Sequence, residues 1–208
     1  MSKIVLKFFI YGIFLNVTYG AYQAKIYLNT GAILIDNQID VTENSLILGG
    51  RKSTINTSFV SNIEFLFDDF NLQVCESLFK SRKLTSLEGL LEEISSLRKF
   101  SNFHGNLPNY YIWLLKSQIW NNNIEGAKKS IEFLSSSNDE ASKVLSALYN
   151  VYILLLENDH VNAKKYLSKI MNPDEVSESM TLYLKSKIDF YEKKYSNSLE
   201  KISKIQAL

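Results

Sequence analysis

The chain is 208 residues long, 46% hydrophobic and 22% charged, a composition ordinary for a folded protein with enough material for a real core. Its net charge of +1 argues against phosphate-dominated nucleic-acid binding, which needs a basic surplus on one face. A single cysteine rules out an internal disulfide, and two histidines without HxxxH or HxxE spacing make no metal site.

The first twenty residues contain Lys3 and Lys7 and no acid, leaving 21 basic against 22 acidic residues beyond them. Phe8 to Val17 is an apolar run broken only by Gly12 and Asn16, and Thr18 and Gly20 are small residues before Ala21. This pattern predicts a secretory signal peptide over residues 1–20, cut after Gly20, and a periplasmic or secreted mature protein with no membrane span. The apolar run is shorter than the roughly 20 residues that cross a bilayer. A buried helix and an uncleaved anchor are the competing readings.

From residue 24 to 67 the apolar residues alternate: Ile26/Leu28, Ile33/Ile35, Ile39/Val41, Leu46/Leu48, Ile55/Thr57/Phe59 and Ile63/Phe65/Phe67. Period-two alternation places each set on one face of a half-buried strand. Asn29-Thr30-Gly31 and Gly49-Gly50 supply turns, the glycine pair being expected to provide positive φ. A meander of about five strands leaves two exposed edges unless it curls, so closure into a small barrel over residues 21–67 is expected.

The string KIYLNTGAILIDNQIDVTENSLILGGRKSTINTSFVSNIEFLF resembles a small Sm-like barrel of the kind that precedes helical repeats in some exported bacterial proteins. The resemblance rests on the NTG first turn, the GG hairpin and the INTSFVSNIEF ending, which reads as a strand, one helical turn and a last strand. Sm-like barrels often bind RNA. That role is not carried over, because the segment offers only Lys25, Arg51 and Lys52 as cations.

From Asp68 onward the period changes to about 3.6. Leu87, Ala127, Ala163 and Ser198 serve as anchors spaced 40, 36 and 35 residues apart. Four residues later stand Leu91, Ile131, Leu167 and Ile202, and seven later Ile94, Leu134, Ile170 and Ile205. Columns three, eight, twelve and fifteen residues before the anchors also stay mostly apolar or small. Arg82, Asn122, Asn158 and Lys193 fall at the turn inside each unit. The columns predict about four helix pairs over residues 68–208, stacked so that each buries its neighbour's apolar face.

Units near 34–36 residues with a small residue early in the second helix resemble tetratricopeptide repeats, most clearly in NNNIEGAKKSIEFL and ENDHVNAKKYLSKIMNP. The first unit departs with Leu87 and the last with Ser198. The resemblance implies a concave groove for a protein or peptide partner, walled by the first helix of each pair. Mapped onto this chain, that wall carries Lys116, Trp120, Tyr152, Lys187 and Tyr191, a set of aromatic faces and fixed positive charge suited to an extended or acidic peptide. The competing reading has Trp120 and Tyr191 packing between units.

The other chemistry-bearing residues read as structural. Cys75 shares a packing column with Leu115, Val151 and Ser186, and His160 shares one with Leu84, Ile124 and Tyr195. His104 falls in a connection, Glu92-Glu93 on a solvated face, and Asp68-Asp69 where caps for the first helix are expected. No GxSxG, GxGxxG or P-loop is present. The sequence therefore predicts an α+β protein that is no enzyme and takes no cofactor or metal: an exported adaptor, a five-stranded Sm-like barrel followed by a tetratricopeptide-like solenoid. A self-assembling envelope component and nucleic-acid binding by the barrel are the alternatives.

Overall fold

The structure, a computed structural model, describes residues 22–207. The expected signal peptide and its cleavage point lie outside the described residues. Six strands come first: β1 (Tyr22–Leu28), β2 (Ile33–Asp36), β3 (Ile39–Val41), β4 (Ser45–Leu48), β5 (Ser53–Asn56) and β6 (Val60–Phe67). A 3-10 turn, Thr57–Phe59, joins the last two.

These strands do not close into the expected five-stranded barrel. They form two separate three-stranded antiparallel sheets, ordered β2-β1-β6 and β3-β4-β5. Two local features explain the difference. Between β2 and β3 the buried Asp36 carboxylate accepts backbone N–H groups from Gln38 (2.8 Å), Gly50 (3.1 Å) and Arg51 (3.2 Å), pinning a sharp change of direction. The outer edge of β6, which a barrel would use to close, is taken instead by residues 104–106. Ile63 N–H donates to the His104 carbonyl at 2.8 Å, and the Asn106 amide accepts from Phe65 N–H (2.9 Å) and donates to Phe65 C=O (2.7 Å). Gly105 is required there, since a Cβ would stand 1.9 Å from the Ile63 carbonyl oxygen.

Two finer expectations are also corrected. Ile33 and Ile35 face solvent rather than the core, because the inward positions of β2 belong to Leu34 and Asp36. Gly49 and Gly50 do not supply positive φ; that conformation falls on Lys52, and the glycines instead allow Gln38 and the Asp36 carboxylate to approach closely. Gly31 does have positive φ, 83°, in the β1–β2 turn, with Gly31 N–H on Leu28 C=O and Leu28 N–H on Ala32 C=O, both 2.9 Å.

Eight α-helices follow among the described residues: α1 (Leu72–Lys80), α2 (Leu84–Glu92), α3 (Leu107–Trp120), α4 (Ile124–Ser136), α5 (Glu140–Leu156), α6 (His160–Leu167), α7 (Pro173–Tyr191) and α8 (Tyr195–Ala207). Asn71, not Asp68 or Asp69, caps α1, its side chain accepting from Val74 N–H at 3.0 Å. A 3-10 stretch, Glu93–Phe100, continues from α2.

Inside each consecutive pair the same turn recurs. Arg82, Asn122, Asn158 and Lys193 all lie in the left-handed region, with φ of 56°, 59°, 63° and 62°. The next residue, Lys83, Asn123, Asp159 or Lys194, donates its N–H to the carbonyl five positions back, at 2.8–2.9 Å. This is the Schellman closure, which satisfies carbonyls that a helix end would otherwise leave bare. Leu87, Ala127 and Ala163 are fully buried and Ser198 nearly so, four equivalent places in the second helix of each pair.

The sheets and helices share one core. Phe65 packs edge-on against Phe100 at 5.4 Å, and Phe67 stacks on Phe70 at 4.4 Å and meets Tyr110 of α3 at 5.0 Å. One apolar cluster extends from Ala24 in β1 to Ile153 in α5, and a second joins α5, α6 and α7 through Leu148, Val151, Ala163, Leu184 and Ile188.

Candidate binding pocket

A cleft of about 390 Å³ opens between α3, α5 and α7, with Phe79 of α1 at its margin. Three of the five sequence-predicted groove residues, Lys116, Trp120 and Tyr152, line it. They converge because each belongs to the first helix of a pair, within two turns of its left-handed residue. The wall is completed by Ile119, Leu145, Tyr149, Met180 and Tyr183.

The shape of the cleft owes much to a break in α7. Ser177 has extended rather than helical dihedrals (φ −159°, ψ 89°), so the first turn of α7 stands apart from the rest. The freed Ser177 carbonyl accepts the Thr181 hydroxyl at 2.8 Å. Ser177, Ser179 and Met180 face the cleft from this break.

Lys116 is the distinctive group. It is half-buried, and loss of solvent lowers its pKa below the ordinary lysine value. Its ammonium lies 4.5 Å from the Trp113 ring centroid and 6.0 Å from that of Phe79. Among the described residues no carboxylate pairs with it, and the Glu76 carboxylate of α1 is held by Lys80 at 2.6 Å. An ammonium that is taken out of water and given only aromatic faces keeps an unmet demand for negative charge.

The tyrosines give the cleft a polar side. Burial pushes Tyr149 up to about 12. Burial first, and then the adjoining Tyr183, raise Tyr152. The Tyr152 and Tyr183 rings lie 6.0 Å apart, and Lys187 sits 5.6 Å over the Tyr183 ring. Lys187 thus stands beside the cleft through Tyr183 rather than in its wall.

Tyr191 is not brought to this site. It stacks on the His160 ring at 5.3 Å and 9°, so the reading in which it packs between units is the one its environment supports. Trp120 does the opposite: 70% of its surface is exposed. Sequence reasoning passed over Phe79, Tyr149 and Tyr183. Phe79 and Tyr183 fall in the columns eight and fifteen residues before the anchors, which read as packing, and aromatic bulk is the one signal the letters offer.

The remaining candidates are structural in their surroundings. Cys75 is fully buried, and burial pushes its thiol up to about 11. His160 has its Nδ1 3.3 Å from the Asn158 carbonyl, and His104 is exposed, with its backbone serving β6. Among the described residues no group of three or more His, Cys, Asp or Glu converges, and no helix is long and apolar enough to cross a membrane.

A scan against protein-family models and searches of curated proteins and of solved structures return no match. The resemblance to tetratricopeptide repeats therefore rests on the sequence columns, and that to an Sm-like barrel is overturned by the two open sheets.

Proposed function

We propose that this chain is a non-catalytic exported adaptor that holds an extended protein or peptide segment in the cleft between α3, α5 and α7. The reading rests on the half-buried Lys116 ammonium, which lies among aromatic rings with no carboxylate partner among the described residues. A segment offering an acidic group to Lys116 and an apolar or aromatic side chain to Trp120, Ile119 and Met180 would satisfy both halves of the site. The export component rests on Lys3, Lys7 and the apolar run from Phe8 to Val17.

The test is comparative capture from an envelope extract, read by mass spectrometry, with the wild-type chain and the Lys116→Glu, Trp120→Ala double variant as baits. A protein enriched on the first and lost on the second, with equal helical circular dichroism for both baits, supports the reading. Equal capture by both would remove the cleft from consideration.

A further inference from the structure

The sheet β2-β1-β6 has one closed edge and one open edge. Residues 104–106 close β6, but among the described residues the outer edge of β2 meets only Arg51, whose Nε donates to the Ile35 carbonyl at 3.4 Å. The direction of the free backbone groups follows from the hairpin. Leu28 N–H donates to Ala32 C=O, and Ile26 pairs with Leu34, so the backbone groups of Leu34 turn toward β1. Those of Ile33 and Ile35 point outward, because bonding directions alternate along an antiparallel ladder.

The side chains repeat the theme. Ile33 and Ile35 are 55% and 44% exposed on the outer face of the sheet. Edge strands are ordinarily guarded by charged side chains, above all lysine, by proline or by a bulge, and the one such guard here among the described residues is Arg51. β2 has neither lysine nor proline, its pairing with β1 is unbroken, and its one charge, Asp36, is turned inward and occupied by three N–H groups.

We propose that β2 pairs antiparallel with β2 of a second copy of this chain, about a two-fold axis through Leu34. The sequence Ile33-Leu34-Ile35 reads the same in both directions, so the contact is self-complementary. Ile33 exchanges both backbone hydrogen bonds with Ile35 of the partner subunit, and Leu34 faces Leu34 of the partner subunit as the non-hydrogen-bonded pair. Two three-stranded sheets become one of six strands, and four isoleucines that face water in the single chain meet on one face. Arg51, long and exposed, swings aside to release the Ile35 carbonyl. This dimer uses no residue of the cleft wall.

Sedimentation of the full chain over a range of concentrations is expected to show a dimer. Ile33→Lys should raise its dissociation constant at least tenfold with circular dichroism unchanged, since Ile33 is exposed and belongs to no core cluster among the described residues. Non-hydrogen-bonded pairs bring Cα atoms to about 4.5 Å, within disulfide reach. Leu34→Cys should therefore cross-link to itself under mild oxidation, and Ile35→Cys should not, while the fully buried Cys75 stays silent. A monomer at every concentration would overturn the proposal and leave the edge bare or open to a strand from another protein. A dimer that ignores Ile33→Lys and gives no Leu34→Cys link would overturn it as well.

Discussion

Lys128 Nζ lies 2.9 Å from Glu157 Oε1, so the residue just after the buried Ala127 reaches the residue that closes the first helix of the following pair. The same offset recurs at the other two junctions. Glu88, just after Leu87, accepts from Asn121 Nδ2 at 2.6 Å, and Lys164, just after Ala163, pairs with Glu192. Three junctions thus use one geometry, each partner standing six positions before the next anchor. Leu199 occupies the equivalent place after Ser198 and is 67% exposed. Single exposed bonds of this kind contribute little to stability, and their value here is as a marker of register.

The register makes the anchors intolerant of bulk. Ala163 is fully buried between α5 and α6, so Ala163→Trp should destabilise the fold by roughly 1–3 kcal/mol or more through overpacking. Val161 stands two residues away at 69% exposure, and Val161→Trp should leave the denaturation midpoint unchanged. Equal midpoints for the two variants in urea would break the equivalence of the four anchors.

Left-handed backbone at Arg82 and Lys193 carries a steric cost that glycine avoids, of about 1–2 kcal/mol, partly offset by glycine's greater freedom when unfolded. Lys193→Gly should therefore raise the melting temperature. Asn158→Gly should raise it less, because asparagine already tolerates this conformation. Thermal unfolding of the two variants beside wild type measures the ordering.

Lys164 first, and then Lys194, hold the Glu192 carboxyl down to about 2, against an ordinary glutamate value near 4.5. A depressed carboxyl contributes stability that is complete above its unfolded value and fades as pH falls through the folded one. The α6–α7 tie should persist at pH 5 and weaken between about pH 4.5 and pH 2. A carbon NMR titration of the Glu192 carboxyl checks this directly, with a midpoint near 2 in wild type and a higher one in Lys164→Met.

Much of the helical half was legible because packing repeats: a buried anchor, a turn residue and an inward column recur at fixed offsets, and side-chain volume at those positions is visible in the letters. Arg82, Asn122, Asn158 and Lys193 were found from spacing alone, and each is left-handed. The strand half was less legible because its outcome depends on contacts distant in sequence. Nothing near Phe65 announces that Asn106, 41 residues on, will occupy its edge, and nothing near Ile35 shows that Asp36 will be drawn inward by Gly50 and Arg51. The cleft was half visible: Lys116, Trp120 and Tyr152 follow from the tetratricopeptide resemblance mapped through helix offsets. The break at Ser177 that shapes the opposite wall has no proline or glycine to mark it.

The two tryptophans of the chain, Trp113 beneath the Lys116 ammonium and Trp120 on the cleft wall, make intrinsic fluorescence a local reporter. The direct measurement is a fluorescence titration with short peptides that place an acidic residue beside an aliphatic or aromatic one, on wild type and on Lys116→Glu. The account predicts a saturable change in wild type, weakened at least tenfold in the variant and at alkaline pH where Lys116 loses its proton. Undiminished binding by Lys116→Glu, or no response in wild type to any peptide of this class, would contradict it.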